Sequence, residues 1–183
     1  DGPPAVAIAD PEEAGAAWAA GLPVLSDPAT ALPVRPEPGR PDPANAAAVV
    51  AAIERGVALV AEGRAAALAT NPISKKILRD GAGFSFPGHT EFLASLGGGG
   101  RPVMMIAGPS LRVVPVTIHV ALAEVPGMLT RELILETARI TAAGLARDFG
   151  IERPRLAITG LNPHAGEGGA MRREEIAIIG QIG

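Results

Sequence analysis

Cysteine and tyrosine are absent from this sequence, tryptophan occurs once and phenylalanine four times. Without Cys there is no disulfide and no thiolate ligand, so a metal site must rest on His and carboxylates. The lack of disulfides fits a cytoplasmic protein. Aromatic residues make up 3% of a chain that is 48% apolar. Its core must therefore be built from Ala, Val, Leu and Ile, which suits helices packed closely on a sheet. Basic clusters are missing too. The formal net charge is -3 and only scattered pairs such as Lys75-Lys76 and Arg172-Arg173 occur, so no nucleic-acid surface is expected. No unbroken apolar run approaches the roughly 20 residues of a membrane span, and Asp1-Gly2-Pro3-Pro4 is not a signal peptide. That start also lacks an initiator Met, so a fragment of a longer protein is expected. With 183 residues the chain can bury a sizeable core in one or two small lobes. These absences leave a soluble cytoplasmic α/β protein with neither membrane nor nucleic-acid partners.

What is present is punctuated by Pro and Gly. Residues 5–9 (AVAIA) read as a short strand, and Asp10-Pro11 opens a helix to about Ala20 that Gly21 stops before a second strand at 22–25. Residues 26–43 carry Pro28, Pro33, Pro36, Pro38, Pro41 and Pro43, which predicts an extended connector without regular structure. Asp42 as N-cap and Pro43 at the first helical position then start a helix. Val49, Val50, Ile53, Val57 and Val60 repeat at helical spacing along it until Gly63. A strand is expected at 65–70, a polar turn at 71–75, and a short helix at 76–80 broken by Gly81 and Gly83. Residues 84–91 form a loop capping a helix at 91–96, with Thr90 as its cap. Gly97, Gly98, Gly99 and Gly100 make a flexible joint. Two β-branched or Met-rich runs, 102–107 and 111–117, have hairpin spacing around Gly108-Pro109-Ser110. The longest helix should run from a Thr130 cap to Phe149 and end at Gly150, with Leu133, Thr137, Ile140 and Gly144 on one stripe. A last strand at 155–159 and a last helix at 174–182 follow. Alternating strands and helices with one antiparallel pair imply a mixed-sheet α/β sandwich.

The chemistry gathers in the loops. Residues 160–169, Gly-Leu-Asn-Pro-His-Ala-Gly-Glu-Gly-Gly, follow a predicted strand and precede a helical pattern. That is where open α/β sheets present reactive groups. Glycines there admit a ligand to the backbone, and an imidazole can hold a metal or move a proton. A single His is more often a hydrogen-bonded structural residue than a ligand. Here, however, His89, His119 and His164 all fall at or just beyond predicted strand ends, which favours chemistry. Their spacing matches neither a helical two-His motif nor a zinc finger, so the fold would have to assemble any site. Lys75 suits an anionic substrate, against the alternative of a solvated turn. Gly88-His89-Thr90-Glu91 offers an imidazole, a hydroxyl and free amides at a helix start, against the alternative of an ordinary N-cap. Residues 104–108 read as core, and 120–128 as packing or a subunit contact.

Five motifs occur together in order: Thr70-Asn71-Pro72-Ile73-Ser74-Lys75, Phe86-Pro87-Gly88-His89-Thr90-Glu91-Phe92, Met104-Met105-Ile106-Ala107-Gly108, Thr117-Ile118-His119 and the run 160–169. With them the chain resembles the 4-hydroxythreonine-4-phosphate dehydrogenases of vitamin B6 biosynthesis, from about Ala5 to its end. The Asn-Pro-His-Ala-Gly-Glu-Gly-Gly and Pro-Gly-His-Thr-Glu runs are highly specific.

The resemblance implies a mixed-sheet α/β/α sandwich of the isocitrate/isopropylmalate dehydrogenase-like fold, truncated at both ends. Residues 1–70 would belong to a first α/β lobe, and 71–183 to a central metal- and substrate-binding, dimer-forming lobe without the C-terminal NAD-binding part. The activity implied is NAD- and metal-dependent oxidation and decarboxylation of 4-phosphooxy-L-threonine to 3-amino-2-oxopropyl phosphate, by a homodimer that shares its active site. The implied cofactors are NAD or NADP and one divalent ion among Zn, Mg, Co, Mn and Ni. His119 and His164 match two of three metal-binding His, while His89 and Thr90 match the pair that contacts the phosphorylated substrate. Lys75 and Glu167 sit in family motifs without an assigned role. The third metal His belongs to a His-Asp-Gln-Gly motif that this sequence does not contain, and the family's N-terminal Gly-Asp-Pro-Ala-Gly-Ile-Gly-Pro-Glu segment is also missing. Relatives acting on 4-phospho-threonate or 4-phospho-erythronate are an alternative, and so is a non-catalytic fragment with an incomplete metal site. A metallohydrolase would need a water-activating carboxylate close to paired His, which no single motif shows.

Overall fold

Strand β1 (Ala5–Ile8) and strand β2 (Leu22–Leu25) pair in parallel, with Ala5 opposite Leu22 and Ile8 opposite Leu25. Parallel strands need a crossover. Here it is a 3-10 turn, Pro11–Glu13, running into the one-turn helix α1 (Ala14–Ala17). Asp10 starts the crossover with a reciprocal cap: its carboxylate accepts from the Glu12 amide at 3.0 Å, while its own amide donates to Glu13 Oε1 at 3.0 Å. The helix stops short of the expected Ala20. Gly15 and a run of alanines give it little side-chain packing with which to extend. The computed structural model describes residues 2–160, and the chain divides into two compact units after Pro102.

The proline-rich connector departs from the expectation in one respect. It holds a 3-10 turn, Pro28–Thr30, because Asp27 caps it by accepting from the Ala29 amide at 2.9 Å and Pro28 supplies the required φ. Buried Asn45 holds the connector at Val34 through both ends of its amide, at 3.0 and 2.9 Å. Asp42 then caps the turn Pro43–Asn45, which continues into α2 (Ala46–Ala61), as its sequence predicts. Counting the turn, Pro43–Ala61 is 19 residues long with a mean hydropathy of 1.5, enough by length and composition to cross a membrane. Glu54 and Arg55 interrupt it, so it is not an unbroken apolar run. The helix is used as a packing element: Ala46, Ala48 and Ile53 are buried, and Arg55 pairs with Asp27 at 3.8 Å.

Helices α3 (Lys75–Ala82) and α4 (His89–Leu96) pack on α2. Ala46, Ile53, Leu78, Phe84 and Phe92 form the buried core between them, flanked by Val49, Val50, Ile73, Ile77, Phe86, Leu93 and Leu96. Gly81 does not break α3 as expected; the helix continues through it and stops at Gly83, whose φ of 62° is left-handed. Gly81 is needed for close approach. A Cβ there would lie 2.1 Å from the Pro43 carbonyl oxygen and 2.8 Å from Ala46 Cβ. Gly81→Ala should therefore destabilise the chain by about 2 kcal/mol, despite the better helix propensity of Ala. Urea unfolding would measure it, and an unchanged midpoint would show that α3 can move away freely.

Two expected strands do not form. Residues 65–70 and 155–159 pair with no strand among the described residues. Leu68, Leu156 and Ile158 are exposed, so these apolar runs have no sheet neighbour to bury them. The hairpin does form, but its strands shrink to β3 (Ile106–Ala107) and β4 (Arg112–Val113), antiparallel and closed by the Gly108 amide on the Leu111 carbonyl at 2.8 Å. After the single turn α5 (Val125–Met128), helix α6 (Arg131–Phe149) has the expected ends. Thr130 Oγ1 accepts from the Leu133 amide at 3.1 Å, and Gly150 closes it at φ 66°.

The buried stripe of α6 is Ile134, Thr137, Thr141 and Leu145, so only Thr137 of the expected stripe is among its buried residues. The two Thr fit that face because their hydroxyls donate to the carbonyls one turn back, Leu133 and Thr137, each at 2.7 Å. Near its end, Arg112 lies 4.8 Å over the Phe149 ring. Arg147 hydrogen-bonds Asp148 at 2.6 and 2.8 Å. That bond, with the charge attraction, holds the Asp148 carboxyl below the usual range and raises Arg147. What the pair contributes is present above the ordinary carboxylate pKa and disappears as pH falls through the depressed one. Both side chains are largely exposed to solvent, so the contribution is small.

Candidate active site

The start of α4 carries the densest set of candidate groups among the described residues. Gly88 is its N-cap, extended at φ -156° and ψ 177°, and His89 and Thr90 are the first two helical positions. This corrects the expectation that Thr90 is the cap. Glycine is an accepted N-cap, and a Cβ on Gly88 would lie 2.5 Å from Glu91 Oε2, the far end of a side chain that can swing aside. The Glu91 carboxylate thus lies against the cap, in the first turn, where it complements the helix dipole. A glycine followed three residues later by Glu is the sequence signal that could have located this cap. Gly88 brings no side-chain oxygen to the first amides, which leaves that end of the helix available to a ligand.

His89 is partly buried, and its Nε2 is fully removed from solvent without a hydrogen-bond partner. Leaving such a nitrogen unpaired costs about 1–3 kcal/mol. An orphaned donor or acceptor beside a helix N-terminus is a feature that a bound polar molecule would satisfy. Thr90, next to it, is exposed.

Lys75 is the first residue of α3, and its ammonium donates to the Pro87 carbonyl at 3.1 Å. The structure thus joins two of the sequence motifs, the 70–75 segment and the Pro-Gly-His-Thr-Glu run. His119 lies in the second unit, exposed, in a bend after β4. Its φ of 57° makes it the one non-glycine residue with positive φ among those described. His164 and Glu167 lie outside the described residues. Among those described, no group of three His, Cys, Asp or Glu is placed to hold a metal. His119 can offer one imidazole nitrogen, a donor that suits Zn or Ni.

Residues 6–182 match the family model described as "Pyridoxal phosphate biosynthetic protein PdxA". The chain belongs to this family. The match takes in all five motifs, including the run 160–169. The chain is similar to the 4-hydroxythreonine-4-phosphate dehydrogenase of Roseobacter denitrificans, 60% identical over 75% of this chain and 43% of that protein. It is also similar to the enzyme of the same name from Paracoccus denitrificans, 50% identical over 95% of this chain and 58% of that one. It therefore spans about half the length of these curated relatives. Among solved structures, the Klebsiella pneumoniae 4-hydroxythreonine-4-phosphate dehydrogenase matches all of this chain and 55% of its own, at 30% identity and a TM-score of 0.85. The Burkholderia phymatum enzyme matches 95% of this chain at 33% identity and a TM-score of 0.81. The PdxA family fold is therefore mixed α/β in this chain.

Proposed function

We propose that the protein containing this chain is an NAD-dependent dehydrogenase that converts 4-phosphooxy-L-threonine to 3-amino-2-oxopropyl phosphate and carbon dioxide. Family membership supports this, and the observation that carries it at the site is the orphaned Nε2 of His89 at the start of α4. The substrate is a small, multiply charged molecule, and an unpaired imidazole nitrogen beside free helix amides suits one of its oxygens.

His89 and Thr90 bind and orient the substrate. Holding its non-reacting phosphorylated part contributes binding energy that fixes the reacting carbon. His119 and His164 are two of the groups that would hold a divalent metal, the third lying outside this sequence. Such a metal, when bound, supplies Lewis acidity to the hydroxyl that is oxidised, and NAD accepts the hydride. Oxidation places a ketone β to the carboxylate, and carbon dioxide then leaves.

The reading includes a cytoplasmic homodimer of the isocitrate/isopropylmalate dehydrogenase-like fold, with residues 71–183 as its metal- and substrate-binding, dimer-forming lobe. Exposed Ile106, Leu111 and Leu122 in the second unit support a surface covered by more protein. The test is NAD reduction by the enzyme at the full length of its relatives, with 4-phosphooxy-L-threonine compared against 4-phospho-threonate and 4-phospho-erythronate. Turnover of the amino acid that a chelator abolishes and a divalent metal restores is the expected result. Preference for either hydroxy acid would assign the enzyme to another substrate, and chelator-insensitive turnover would remove the metal.

A further inference from the structure

We propose that Lys75 is a positioning residue that sets the orientation of His89 and Thr90 by pinning the peptide before α4; this rests on the functional reading above. Lys75 is at the wrong end of its own helix. A cation at the N-terminus of α3 opposes the dipole, and Ser74 provides no side-chain cap there. Its neighbour Lys76 pairs within the helix with Asp80, one turn on. Lys75 instead reaches twelve residues along the chain to the Pro87 carbonyl at 3.1 Å.

That carbonyl belongs to the peptide that enters the N-cap. Gly88 carries no side chain, and only the mobile end of the Glu91 side chain lies where a Cβ would go. The torsions at 88 are therefore the least restrained in the run, and they aim everything that follows. His89 and Thr90 come next. The Phe84, Phe86 and Phe92 rings anchor this segment on the core side, and the Lys75 bond fixes the peptide plane on the exposed side. The bond competes with water, since Lys75 is exposed. Its consequence is a shift of geometry rather than a loss of folding, and misplacement of binding groups weakens substrate orientation steeply.

The experiment compares Lys75→Ala and Lys75→Arg with the parent in the enzyme at the full length of its relatives. Hydrogen exchange of the Phe92 amide, which donates to the Gly88 carbonyl at 3.2 Å, is read first, without substrate. It should quicken about tenfold in the Ala variant and return close to the parent in the Arg variant, which keeps a charged donor. KM for the phosphorylated substrate should rise about tenfold in Lys75→Ala with kcat within about threefold, again recovered by Arg. Unchanged exchange in the Ala variant overturns the proposal. So does a loss of kcat that Arg fails to recover, since that places Lys75 at the reacting atoms. If the parent enzyme does not turn over 4-phosphooxy-L-threonine, the assigned function fails, while the exchange measurement still decides the role of Lys75.

Discussion

Phe92→Ala should destabilise the first unit by about 3–5 kcal/mol, a large part of a typical domain's stability. The sequence holds four Phe, and three of them meet here. Phe92 is 3% exposed, with its ring 5.1 Å from Phe84 in an edge-on arrangement and 4.9 Å from Phe86. The rest of this core is made of Ala, Val, Leu and Ile. The loss is therefore the transfer energy of the ring, plus the cavity, plus two aromatic contacts worth about 0.5–1.5 kcal/mol each. The effect should reach the site. Phe92 lies one turn beyond His89, and its amide donates to the Gly88 carbonyl at 3.2 Å. Phe149→Ala is the comparison, since that ring is 44% exposed and lies under the Arg112 cation described above; it should cost about 1 kcal/mol. Urea denaturation followed by circular dichroism measures both. A Phe92→Ala loss as small as that of Phe149→Ala would mean that the cluster does not organise the unit.

The features legible in the sequence are those decided locally. Asp10, Asp42 and Thr130 cap where their side chains dictate, Gly83 and Gly150 end helices in the left-handed region, and Gly108-Pro109-Ser110 turns a hairpin. The failures are non-local. An apolar run at 65–70 or 155–159 becomes a strand only if another segment donates to it, and its composition carries no information about that partner. The α6 stripe was displaced for a related reason. Thr141 counts as polar in a periodicity, yet it is buried because its hydroxyl is satisfied by the Thr137 carbonyl. At the site, the motifs named the residues, and the surroundings remained hidden. Neither the unpaired Nε2 of His89 nor the Lys75 bond to Pro87 follows from spacing, since each depends on where two helices meet.

His119 allows the metal reading to be separated from a purely structural one. A His at φ 57° bears about 1–2 kcal/mol of backbone strain, and the side chain is exposed, so packing does not explain the residue. A residue held in that region for its imidazole should show opposite effects on stability and function. His119→Gly should leave the protein as stable or about 0.5–1 kcal/mol more stable, while divalent-metal affinity falls about a hundredfold or more and turnover falls with it. His119→Ala should lose the same metal affinity but keep the strain, because its Cβ meets the same steric penalty. Calorimetric metal titration and thermal unfolding of both variants, in the enzyme at the full length of its relatives, provide the four values. If His119 served only to shape the bend, Gly would preserve metal binding and activity together, and the ligand assignment would fall. If both variants lost metal and only Gly gained stability, the imidazole would be the reason the chain tolerates an unfavourable backbone at this position.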